Sequence, residues 1–164
     1  MMNRLKISKK YGFGLIEILV AVSIIGLSFA TLTGLGNFAL KIQNRLQKNM
    51  VASYLAAEAI EATRAVKDEA WAIVSGLGTD TPLHPSQSGS PAKWSLAAGS
   101  ETINGFSRQV VLANVYRDGN DNITESTVTL DPNTKKITAT VSWSDQGDFQ
   151  QVSLSAYLTN WKPE

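Results

Sequence analysis

The one carboxylate in the longest apolar run of the chain is Glu17, within GLIEILVAVSIIGL. A carboxylate at the start of a membrane span is unfavourable, by about 2.5 to 3.5 kcal/mol near the helix centre and less near an end, so it calls for a partner. A second group of oxygen-bearing side chains is Asp118, Asn120 and Asn122, interleaved with Gly119 and Asp121 and followed by Glu125. Alternate oxygen ligands of this kind begin a calcium loop. That loop, however, needs glycine at its sixth position and glutamate at its twelfth, where this chain has Ile123 and Thr129. A backbone turn is the better reading, since Asp, Gly and Asn all favour one. His84 is the only histidine and lies between prolines, and the chain has no cysteine, which excludes disulfides, thiolate metal sites and cysteine nucleophiles. No phosphate-cradling glycine loop, paired catalytic carboxylate or metal-ligand cluster is evident, so neither an enzyme nor a cofactor is expected.

The elements that would position Glu17 are legible on either side of it. Arg4, Lys6, Lys9 and Lys10 all precede Phe13, and no charge occurs from Ile18 to Leu40. An uncharged run of this length suffices for a helix across a bilayer, which needs about 20 residues. Basic residues before it favour a cytoplasmic N-terminus, leaving the bulk of the chain outside. Those four are part of only 15 basic residues against 14 acidic ones, so the remainder carries no basic excess. That argues against general nucleic-acid binding, which rests on phosphate neutralisation.

Val51, Leu55, Ala59, Ala62, Val66, Ala70 and Ile73 then recur at steps of three and four, the spacing of one helix face. Lys48, Glu58, Glu61, Arg64, Lys67 and Asp68 fall on the other, with Glu61 and Arg64 spaced to attract each other. With no proline or glycine between Lys41 and Ser75, one helix is expected to run unbroken to Gly76. From Gly76 to Gly105 the chain turns to Gly, Ser, Thr and Pro, with Pro82, Pro85 and Pro91, and reads as a loop with a short strand near Trp94.

Four strand signals follow: Val110 to Tyr116, Thr124 to Leu130, Ile137 to Trp143 and Val152 to Leu158. Turn residues separate them at Asp118 to Asn122, Asp131 to Thr134 and Asp145 to Asp148, which makes an antiparallel meander. Its apolar face needs a cover, and the amphipathic half of the helix supplies one, giving an α+β fold. Trp94, Trp143 and Trp161 read as core or subunit-contact residues.

The segment from Lys9 to Glu17, KKYGFGLIE, and the apolar run after it resemble the leader and N-terminal segment of type IV pilins and type II secretion pseudopilins. The resemblance implies a membrane peptidase that cuts between Gly12 and Phe13, N-methylation of Phe13, and Glu17 as fifth residue of the mature chain. It also implies pairing of Glu17 with the new ammonium of a neighbouring subunit, which would fix axial register. Such a pair contributes specificity more than stability.

Gly14 stands where many relatives have threonine or serine, and the apolar run carries Gly26, Gly34 and Gly36 in place of the proline of many major pilins. Ser28, Phe29 and Ala30 also fit a secretory cleavage site, a reading that leaves Gly12 and Glu17 without a role. Tyr54 to Trp71, with Glu58, Glu61 and Arg64, resembles minor pilins of the pilus-modification type and the I-type minor pseudopilin.

The organisation these readings imply is a cleaved leader at 1–12, an apolar assembly segment at 13–40, an amphipathic helix at 41–75, a variable loop at 76–105 and a sheet at 106–164. The resemblance implies a pilin fold, its helix packed on four strands, and a structural role as a minor pilin. The alternatives are a minor pseudopilin, or a tip pilin for adhesion or DNA uptake. Implied partners are other pilin subunits, prepilin peptidase, the inner-membrane assembly platform with its ATPase, and membrane lipid. For a DNA ligand the candidate residues are Lys93, Arg108, Arg117, Lys135 and Lys136.

Overall fold

The computed structural model describes residue 12 and residues 14–126, 128–145 and 147–161. Its contacts divide the chain into two units at Asn44/Arg45, and helix α1 (Leu15–Glu69) runs through the boundary. In the first unit α1 carries the apolar run, exposed along its whole length and long and apolar enough to cross a membrane. It continues unbroken through Gly26, Gly34 and Gly36. Its hydroxyls are satisfied within the helix: Ser23 and Ser28 donate to the carbonyls of Leu19 and Ile24, each at 2.8 Å, and Thr33 to that of Phe29 at 3.0 Å. Back-bonding of this kind lets serine and threonine sit in an apolar medium without an unmet donor.

In the second unit the outer part of α1 packs on an antiparallel sheet, which makes the fold α+β as expected. The sheet has seven strands, not four: β1 (Pro82–Ser88), β2 (Lys93–Ala98), β3 (Glu101–Ile103), β4 (Phe106–Arg117), β5 (Ile123–Thr124), β6 (Thr129–Asp145) and β7 (Asp148–Thr159). Their order is β2-β1-β4-β6-β7, with β3 and β5 pairing on β4. Thus β4, β6 and β7 form the expected meander. The expected strand from Thr124 to Leu130 is instead divided between β5 and the start of β6. The expected turn from Asp131 to Thr134 is a bulge inside β6, where Asn114 faces Lys135 but Val115 faces Asp131. Extra residues on one strand of a pair produce such a shift and bend the strand.

The stretch expected as a loop holds the β1–β2 hairpin and β3. Pro82 opens β1, and beyond Leu83 the strand pairs only with β2. A strand without a neighbour on one side tolerates proline, because no ladder bond there depends on its amide. Asn104 and Gly105 both have positive φ and join Ile103 to Phe106 in a two-residue hairpin loop. Asn-Gly is the pair such loops favour, since both central residues must enter the left-handed region.

The core lies between α1 and the sheet. Leu55, Ala59, Ala62 and Val66 are buried as their spacing predicts, joined by Ala52, Ala56, Ile60 and Thr63. They meet Val110 and Leu112 of β4, Ile137, Ala139 and Val141 of β6, and Leu158 of β7. Val51 and Ile73, expected on the buried face, are exposed. The helix also stops earlier than the absence of breakers predicts. Ala70 is extended, and a short helix α2 (Trp71–Gly76) follows, with Val74 completely buried. Burial of Val74 overrides a local sequence that favours continued helix.

Candidate functional site

The N-terminal residues that sequence reading singles out sit at the head of α1. Gly12 and Gly14 are exposed, whereas residues 1–11 and Phe13 lie outside the described residues. The Gly14 carbonyl accepts from the amides of Glu17 at 3.0 Å and Ile18 at 3.3 Å, so the first turn starts directly after it. Glu17 is therefore a first-turn carboxylate, where the helix dipole favours negative charge. Its side chain is exposed, and no ion pair joins it to another described residue. Around it Leu15, Ile16, Ile18 and Leu19 are all more than half exposed. An apolar cylinder with one carboxylate at its head is chemically suited to lipid or to a bundle of like helices.

The oxygen-rich turn is built from its own donors. Asp118 Oδ1 accepts from the amides of Asn120 and Asn122, each at 2.9 Å, and Oδ2 from Asn122 Nδ2 at 3.2 Å. These bonds, that from the Asn122 amide foremost, hold the Asp118 carboxyl below its usual range. Next to it, Arg117 Nε lies 2.7 Å from Asp131 Oδ2 and 3.5 Å from Asp121 Oδ1. The Arg117 bond is the main cause that lowers Asp131 as well. The carboxylates of this turn are engaged with donors of the chain itself.

The five basic residues considered for DNA do not form one free cationic surface. Lys93 pairs with Glu69 at 2.5 Å, and Arg117 with Asp131. Lys135 is nearly buried and donates to Asn114 at 2.7 Å, while Lys136 is half-buried. Arg108 is 3% exposed and turned into the core side of the sheet. Its guanidinium meets Glu101 at 2.7 Å and Glu58 at 3.2 Å. His84 Nδ1 lies 3.3 Å from the Gly99 carbonyl within the β1–β2 hairpin.

The glutamates of the Tyr54 to Trp71 segment divide in role. Glu61 pairs with Arg64 along the helix, as their spacing predicts, whereas Glu58 reaches Arg108 on β4. Lys48 also crosses to the sheet, 2.6 Å from Asp145 at the β6–β7 turn. Trp143 is buried against Phe106, with ring centroids 5.5 Å apart, Trp71 and Trp94 pack partly against the core, and Trp161 is exposed. Sequence reading missed Arg108 as an internal residue. Its parity with Val110 and Leu112 on one strand face was the available signal.

Residues 7–33 match the family described as the prokaryotic N-terminal methylation motif. No curated protein and no solved structure matches the chain.

Proposed function

We propose that this type IV pilin-like chain, a pilin or pseudopilin precursor by its leader motif, is a structural minor pilin that prepilin peptidase processes between Gly12 and Phe13. The observation that carries the reading is the methylation motif at residues 7–33 at the head of a continuous helix whose apolar first part is wholly exposed. Exposed leucine, isoleucine and phenylalanine over some 20 residues require lipid or other helices around them. In this reading the chain is held in the inner membrane by the first part of α1, with its N-terminus in the cytoplasm. Cleavage after Gly12 exposes the Phe13 ammonium, which is methylated, and Glu17 of the neighbouring subunit pairs with it. An assembly platform and its ATPase move the processed subunit from membrane to filament, where the apolar segments of α1 exchange lipid for one another. The motif from Tyr54 to Trp71 supports a minor subunit, and in this fold Glu58 and Trp71 hold α1 and α2 to the sheet.

Intact-mass measurement of the chain extracted from cells with an active prepilin peptidase is expected to begin at Phe13. Replacing Gly12 with a bulky residue is expected to leave the uncut precursor in the membrane. A terminus at Thr31 would show a secretory signal and overturn the assignment.

A further inference from the structure

The two edges of the sheet differ. At one end β2 is six residues long and begins with Lys93, whose side chain pairs with Glu69. At the other end β7 is twelve residues long and, among the described residues, pairs with β6 alone. No charge and no proline interrupt it from Phe149 to Thr159. Edge strands are ordinarily blunted by charge, proline, bulges or short length, because a row of unpaired amides and carbonyls recruits another strand. Beyond Asp148 at its start, β7 has none of these devices among the described residues.

The side of β7 that is open follows from its register. The Asn160 amide donates to the Asn133 carbonyl at 2.8 Å, and pairing runs without a shift from Thr134/Thr159 to Asp145/Asp148. Even-numbered residues of β7 therefore turn their amides and carbonyls toward β6, and odd-numbered residues turn theirs outward. The hydroxyl pairs Thr138–Ser155 and Thr140–Ser153, both at 3.0 Å, agree, since facing side chains come closest at the pairs that do not exchange backbone bonds. Side chains along this edge are unfinished too. Leu154, on the same face as buried Leu158, is 36% exposed, and on the opposite face Phe149 and Tyr157 are 71% and 49% exposed.

We propose that the β7 edge is a strand-addition site for an extended, uncharged segment of another polypeptide, apolar at every second position so that it extends the core over Leu154. Only an extended backbone matches an outward row of alternating donors and acceptors. The lack of charge on β7 leaves a charged strand nothing to pair with. A second copy is the wrong occupant. Antiparallel pairing of β7 with itself is a half-turn about an axis normal to the sheet, which reverses the strands of the partner, whereas subunits of the proposed filament share one direction. A like-oriented copy would offer only the shorter β2 edge.

The absence of native cysteine allows a direct test on the full chain in detergent, independent of whether its leader is cut. Single variants Gln151→Cys, Ser153→Cys and Ser155→Cys are equilibrated in a glutathione redox buffer with synthetic peptides of the 149–159 sequence, each bearing one cysteine. This peptide has the required alternation and no charge. Mixed disulfides are expected to peak at one peptide position, by about tenfold over its neighbours, because bridging needs Cα atoms within about 7 Å. Moving the cysteine of the chain by two residues should move that peak two positions the opposite way, as antiparallel addition requires. Gln151→Pro, which removes an outward amide but no β6 bond, should suppress the cross-link in the Ser155→Cys background while leaving the thermal transition in place. A flat profile across peptide positions overturns the site. A Ser153→Cys homodimer forming in native membranes in preference to the peptide adduct overturns the occupant.

Discussion

Arg108 donates from Nη1 to the backbone carbonyl of Leu55 at 3.2 Å, which ties the central strand of the sheet to the middle of the buried helix face. The same guanidinium holds Glu58 on α1 and Glu101 on β3, so three elements converge on one cation that is 3% exposed. A desolvated arginine is tolerated when its donors are met with good geometry, and its planar fork suits several acceptors at once.

Replacing Arg108 with methionine is therefore expected to destabilise the second unit by about 2–3 kcal/mol, less than loss of a fully buried partner because Glu58 and Glu101 retain some access to water. Lys93→Ala removes an exposed pair with Glu69 and should change stability by less than about 0.5 kcal/mol. Denaturant unfolding of the full chain in detergent, followed by tryptophan fluorescence, compares the two. Equal effects would show that Arg108 is no clamp.

The helix break at Ala70 makes a second comparison. A helix continued through Ala70 was expected to bury Ile73, whereas the structure buries Val74 completely and leaves Ile73 44% exposed. Val74→Ala should cost about 2 kcal/mol through lost transfer energy and a cavity, and Ile73→Ala close to nothing. The reverse order in the same unfolding assay would support an unbroken helix.

These residues also show which parts of the molecule its sequence makes legible. The apolar run, the basic leader, the Asp118 to Asn122 turn and the strands around Val110, Ile137 and Val152 announce themselves through local composition and period. The β1–β2 hairpin does not, because Pro82 and Pro85 argue against a strand unless one knows that β1 lacks a second neighbour beyond Leu83. Asn104-Gly105 was a readable hairpin signal, masked by the glycine- and serine-rich stretch before it. Arg108 reads as a surface cation until Glu101 and Glu58, distant in sequence, are brought to it. At the candidate site, it is the resemblance to pilin leaders that groups Gly12, Phe13 and Glu17 in the proposed function. Their proposed partners belong to other molecules, which no property of one folded chain supplies.

The Arg117–Asp131 pair and the Asp118 turn give the β4–β6 end of the sheet a defined acid response. Both carboxyls are lowered in the folded chain, Asp131 chiefly by Arg117 and Asp118 chiefly by the Asn122 amide. A depressed folded pKa contributes stability that is fully present above the unfolded value, about 3.9 for aspartate, and is lost as pH falls through the folded value. Amide protection factors at residues 118–122, with the intrinsic pH dependence of exchange divided out, should therefore be constant from neutral pH to about 5 and fall only below about 4. Asp131→Asn should flatten the Asp131 part of that response, and an unchanged profile would assign the effect elsewhere.

The last prediction concerns Glu17. If its carboxylate pairs with the N-terminal ammonium of a neighbouring subunit, the interaction arises only after cleavage at Gly12. Glu17→Ala should thus leave processing largely intact while impairing incorporation into filaments. Membrane insertion should survive, since removing a charge makes the span more apolar. The second unit, which begins at Arg45, should unfold identically with or without the change because Glu17 lies outside it. Glu17→Gln separates charge from shape: an amide keeps the hydrogen-bonding atoms but attracts an ammonium far less, so it should resemble alanine and not the native chain. Immunoblots of cell-bound and sheared-filament fractions, at native expression and with prepilin peptidase active, read the outcome. A defect in cleavage would place the role of Glu17 before assembly, and normal incorporation of both variants would refute the pairing while leaving the leader assignment intact.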